Sequence, residues 1–153
     1  MAHSSRDNSK RLNDYESYWN KYKPLYGDKL VVLYQCGTFH ELYGIDNDLE
    51  HVGNVAEIAS ILNIKETRMT AAILENSREN PQMAGFNSVS LDSNLDKLVN
   101  HGYTVVVVEQ IPLAPGSKGP IQRKVAYICS PGTYLETRAQ RDPYVASVYY
   151  DAE

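Results

Sequence analysis

The sequence predicts an α/β domain, a mixed β-sheet flanked by about three helices. Three observations lead there. Apolar or alternating runs of strand length recur at 30–35, 38–43, 103–109 and 123–129. Between them lie three stripes of apolar residues at helical spacing. The composition, 42% hydrophobic and 22% charged over 153 residues, is that of a globular domain. It excludes a disordered tail, a collagen-like chain and a coiled-coil rod.

The first stripe is Leu12, Tyr15, Trp19 and Tyr22, on a helix expected over 9–22 and ended by Pro24 and Gly27. Residues 30–35 read as a buried strand, Cys36-Gly37 as a tight turn, and 38–43 as the returning strand of a hairpin. A polar, acidic loop fills 44–53. Val55, Ile58, Ala59 and Leu62 form the second stripe. A strand is expected within 65–74, a surface loop over 75–82 (ENSRENPQ) and a short strand or turn over 83–90. Leu91, Leu95, Leu98 and Val99 form the third stripe, ended by Gly102. Four consecutive valines mark 103–109 as the clearest strand. The segment 111–120, with three prolines and two glycines, must be a loop, and 123–129 alternates as a strand stopped by Pro131-Gly132. The expected layout is a disordered leader or vector remnant over 1–8, one domain over 9–140, and the start of a second, truncated domain over 141–153. The run 144–150 (YVASVYY) would be its entry strand.

Charge narrows the function. Lys and Arg total 15 against 19 Asp and Glu, so the net charge is -4. A general basic coat for nucleic acid is excluded, though a local patch is not. Residues 30–64 hold five acids and no Lys or Arg, whereas 110–141 hold five bases and one acid. Phosphate contacts are therefore expected near Lys65 and Arg68 or within 118–141. The two cysteines, Cys36 and Cys129, form neither a disulfide framework nor a C-x-x-C pair, and a reducing intracellular compartment is the expectation. No apolar run is long enough to span a membrane. Phosphate-loop, dinucleotide, zinc-protease and nucleophile-elbow motifs are absent, which points away from an enzyme.

Two constellations remain. Glu41, Asp46, Asp48 and Glu50 resemble a nuclease cluster, but a solvated acidic loop is the stronger reading. In 37–43 (GTFHELY), Phe39 and Glu41 are two apart on a predicted strand and share a face. That face can set a flat ring beside a carboxylate near the hairpin tip. On pattern alone, Phe39 in the core and Glu41 as an edge charge is the stronger interpretation.

Four motifs in order change that balance. GTFHELY resembles the G-D-F-Y-E-L-F sensor of the MutS family of DNA mismatch repair proteins. Met83-Ala84-Gly85-Phe86 matches its M-A-G-[IF]-P, and the run from Gly102-Tyr103 to Glu109-Gln110 matches G-Y-x-V-A-x-x-E-Q. Lys118-Gly119-Pro120, Arg123-Lys124-Val125 and Ser130-Pro131-Gly132-Thr133 match K-G-P-x-x-R-x-V…[TS]-P-G-T. The loop GIDNDLEHVGN and the run NPQMAGF look more like the giant-virus and octocoral-mitochondrial branch than the bacterial enzyme. Thr38, His40 and Asn87 replace the family's Asp, Tyr and Pro, and Cys36 stands where bacterial members often have Met.

The resemblance implies the fold of the family's N-terminal mismatch-recognition domain, with 141–153 entering its connector domain. It implies a DNA-binding role for Phe39, Glu41, Arg68, Thr67 and Cys36. Phe39 would stack on a mispaired base from the minor groove, Glu41 would hydrogen-bond that base, and Arg68 would contact phosphate. The implied partner is double-stranded DNA with a mismatch or small loop, and the parent would be a dimer of such chains. No cofactor is expected in this segment; ATP and magnesium would serve the parent. The alternative is a module of such a dimer that no longer senses mismatches.

Overall fold

The computed structural model describes residues 5–133. It opens with helix α1 (Ser5–Tyr26), whose stripe of Leu12, Tyr15, Trp19 and Tyr22 is buried. Both of its boundaries differ from expectation. The leader expected over 1–8 gives way to helix from Ser5, because Asn8 is anchored in the fold. Its buried side-chain amide donates to the Glu79 carbonyl at 2.9 Å and to Thr70 Oγ1 at 3.3 Å. Pro24 lies inside the last turn instead of ending the helix. There it forfeits a single backbone hydrogen bond, and the stop comes at Gly27, whose φ of +65° is open chiefly to glycine.

Strands β1 (Leu30–Cys36) and β2 (Phe39–Asp46) form the expected hairpin. Its turn is Gly37-Thr38, one residue later than expected, with Gly37 at φ +61°. A positive φ at the first central position matches the twist of the flanking strands. Strand β3 (His51–Val52) pairs with the far end of β2. Helix α2 (Val55–Leu62) buries all four residues of its stripe.

The strand expected within 65–74 shrinks to β4 (Thr67–Arg68). The cause is Asn80, buried in what composition marks as a surface loop. Its Oδ1 accepts from the Thr70 N–H at 2.8 Å, and its Nδ2 donates to the Ile73 and Glu75 carbonyls at 2.9 Å. These bonds bend the chain around one side chain, so 70–79 cannot extend. There follow β5 (Gln82–Asn87), a 3-10 turn, α3 (Leu91–Asn100), β6 (Thr104–Gln110) and β7 (Arg123–Cys129). The strand expected over 144–150 and the segment 141–153 lie outside the described residues.

The sheet runs β4-β5-β2-β1-β6-β7, with β3 beside β2. Only β1 and β6 pair in parallel among the described strands. The mixed sheet and three α-helices are the predicted architecture. Strand alternation explains the layering. Tyr15 of α1 meets Tyr34 and Tyr43 on one face of the sheet. Gly44, pointing the other way, lies against Val55 of α2, and α2 packs on α3. Helix α1 thus covers one face and α2 with α3 the other. Val105–Val108 of β6, between β1 and β7, are fully buried.

Candidate nucleic-acid interface

On β2, Phe39, Glu41 and Tyr43 share the face that α1 covers; His40, Leu42 and Gly44 share the opposite one. Cover on the α1 face thins toward the turn. Tyr43 is fully buried, its ring 5.2 Å from that of Tyr15 and 5.7 Å from that of Tyr34. Glu41 is half-buried, and Phe39, next to the turn, is 45% exposed. The core reading of Phe39 therefore fails. An apolar ring stands half-open to solvent beside the hairpin turn, with a carboxylate two residues behind it.

The flanking side chains are tied together. Cys36 is the cross-strand partner of Phe39 and is half-buried, its Sγ 3.2 Å from Tyr43 Oη. Burial pushes the Cys36 thiol up, so it stays protonated at neutral pH. Arg123 of β7 stacks over the Tyr34 ring at 4.2 Å and donates to the Gln35 carbonyl at 2.8 Å and to Tyr34 Oη at 3.1 Å. Tyr34 in turn donates to Asp14 Oδ2 at 2.6 Å. Arg11 of α1 is half-buried beside Tyr43, Cys36 and Glu41; burial lowers its pKa, and these neighbours more than offset that. The charge distribution points to 118–141, which holds Arg123. Nothing in the sequence marks Arg11, one charge beside an apolar helix stripe.

Two residues of the GTFHELY run, His40 and Thr38, brace the hairpin from the other side. His40 is buried, with Nδ1 2.8 Å from Ser88 Oγ and its ring stacked 6.2 Å from that of Phe86. Burial pushes its pKa down and keeps the ring neutral. Its Nε2 lies 3.7 Å from Glu109 Oε2. The Thr38 carbonyl accepts from the Ser88 N–H at 2.8 Å. Gly85 faces Glu41 in register, and a Cβ at Gly85 would stand 2.9 Å from Glu41 Cγ. The glycine of the M-A-G run therefore leaves the room that the Glu41 side chain occupies.

Comparison with known proteins identifies the family. The family model "MutS domain I" matches residues 14–138. The chain belongs to that family. It is 34% identical, over 98% of its length, to a DNA mismatch repair protein mutS homolog of Acanthamoeba polyphaga mimivirus, covering 13% of that protein. It is 33% identical over 78% of its length to the DNA mismatch repair protein MutS of Thermodesulfovibrio yellowstonii, again covering 13%. The MutS of Thermosipho melanesiensis is 30% identical over 92% of the chain, which covers 15% of it. The chain thus spans about an eighth of the length of these relatives.

Within this MutS domain I, the remaining candidates separate. Thr67 lies in the row of Tyr43 and Arg68 in the row of Gly44, four and five residues behind Phe39. Arg68 is on the face opposite Phe39, with Nη1 3.7 Å from Glu66 Oε1. The fold does not bring it to the Phe39–Glu41 pair. Nearer the tip, Arg123 and Lys124 start β7 opposite Gln110 and Glu109. The acidic set also disperses: Glu50 pairs with Arg78 at 2.6 Å, and Asp46 lies 3.5 Å from His51. Among the described residues, no three His, Cys, Asp or Glu converge as metal ligands, and no helix is long and apolar enough to cross a membrane.

Proposed function

We propose that this MutS domain I is the mismatch-sensing, non-enzymatic module of a mismatch repair protein. The observation that carries it is the exposed Phe39 ring held at a braced hairpin tip beside Glu41. A ring needs only the π-face of a base, so Phe39 can stack on any base without reading sequence. Wedging an apolar side chain into the minor groove kinks the duplex. Smooth bending of that kind costs about 1–6 kcal/mol. A mispaired base is already poorly held, so its unstacking costs less. Discrimination thus comes from deformability.

Glu41 contributes the second half. A carboxylate near phosphates is repelled by every duplex, by about 1 kcal/mol for unit charges 4 Å apart in water. A hydrogen bond to a displaced base offsets that penalty only where the base has left the stack. The pair therefore favours a mismatch twice, by Phe39 attraction and by Glu41 exclusion of intact duplex. The braced His40 and the room at Gly85 support this reading over a module that has lost sensing. The ATP- and magnesium-dependent steps, and any second subunit, belong to the rest of the parent protein.

The testing experiment is fluorescence anisotropy of this chain with matched and G·T-mismatched duplexes. With a net charge of -4, counterion release contributes little. Binding at physiological salt is expected to be weak, with Kd of about 10⁻⁶ M or above, yet tighter for the mismatched duplex. The parent's other DNA contacts would raise the effective concentration at the sensor. Nanomolar binding of the matched duplex would reject this reading.

A further inference from the structure

We propose that Tyr43 sets the Glu41 carboxylate for base recognition, as a positioning residue; this rests on the mismatch-sensing reading above. The Tyr43 hydroxyl donates to Glu41 Oε1 at 2.5 Å. Its ring has no freedom to turn away, being fully buried and edge-on to Tyr15 and Tyr34. Burial, and then the negative charge of Glu41, push the phenol well above its ordinary pKa. It keeps its proton, so the bond has one sense: Tyr43 donates and Glu41 accepts. The protonated Cys36 thiol, 3.2 Å from the same hydroxyl, is left to donate to the phenol oxygen.

The consequence lies in the second oxygen. Glu41 Oε2 takes no hydrogen bond from the described residues. One carboxylate oxygen is tied to the fold while the other is left for the base. A glutamate loses considerable rotamer freedom when it is fixed on binding. Tyr43 imposes that order beforehand, so recognition of the base need not supply it.

The variant is Tyr43→Phe, which deletes one oxygen and keeps the packed ring. Two readouts are needed. In the free chain, NMR side-chain couplings of Glu41 should show one rotamer in the wild type and averaging in Tyr43→Phe. In duplex titrations at low salt, Tyr43→Phe should lower the preference for mismatched over matched DNA about fivefold, the scale of one net hydrogen bond. In a Glu41→Ala background it should change nothing further, because its effect passes through Glu41. Rotamer averaging in the wild type, or an equal loss in both backgrounds, overturns the proposal. An ordered Glu41 in a wild-type chain with no mismatch preference rejects the sensing reading, and base recognition with it, while the Tyr43–Glu41 link stands.

Discussion

Tyr15→Ala is expected to destabilise the domain by about 3–5 kcal/mol, the cost of truncating a large buried ring. Tyr15 is fully buried and joins α1 to both strands of the hairpin, 6.0 Å from the Tyr34 ring and 5.2 Å from the Tyr43 ring. Its hydroxyl donates to the Val32 carbonyl at 2.7 Å. Truncation opens a cavity beneath β1 and β2 and frees Tyr43, the residue that holds Glu41. Tyr15→Phe keeps the ring and should cost only about 0.5–1.5 kcal/mol, one net hydrogen bond. Urea denaturation of the two variants separates these effects. A loss below about 1 kcal/mol for Tyr15→Ala would show that α1 does not secure the base of the hairpin.

The second large effect concerns the sensing pair, measured in a full-length protein carrying this domain. Phe39→Ala should remove a stacking contribution of about 1–3 kcal/mol and weaken mismatch binding. Fold stability should change little, because the ring is 45% exposed. Glu41→Ala acts in the other direction on intact DNA. It removes a hydrogen bond to the displaced base, worth about 1.5–3 kcal/mol if charged. It also removes a repulsion felt by every duplex. Binding to matched duplex should rise, most at low salt, where screening is least. Discrimination therefore falls in both variants, through lost affinity in one and raised background in the other. Matched-duplex affinity that is unchanged at low salt in Glu41→Ala would mean that the carboxylate does not face DNA.

The helices and central strands were legible because burial imposes a period on the sequence. The stripe Val55, Ile58, Ala59 and Leu62 and the run Val105–Val108 are buried as their patterns require. What the sequence concealed depends on single polar side chains and the groups they reach only in the folded chain. Asn8 extends α1 through partners 62 and 71 residues away, and Asn80 cuts β4 short by bonding three backbone groups. Neither leaves a periodic trace. The site was half legible. Alternation puts Phe39 and Glu41 on one face, but it cannot say how far a covering helix extends along that face. Since α1 covers Tyr43 and leaves Phe39 half open, the sensor face is decided by a distant element. Arg11 was hidden for the same reason, since its place beside Tyr43 and Glu41 exists only once α1 and β2 are packed.

The chain holds just two phenylalanines, exposed Phe39 and buried Phe86. Selective labelling of phenylalanine therefore gives two ring signals, one at the hairpin tip and one in the core. The most direct measurement is titration of the labelled chain at low salt with a G·T-mismatched duplex and with its matched counterpart. Stacking should shift the Phe39 ring signal upfield with the mismatched duplex alone, leaving Phe86 in place with both. A Phe39 signal that moves equally with both duplexes, or with neither at saturation, would contradict mismatch sensing through this ring.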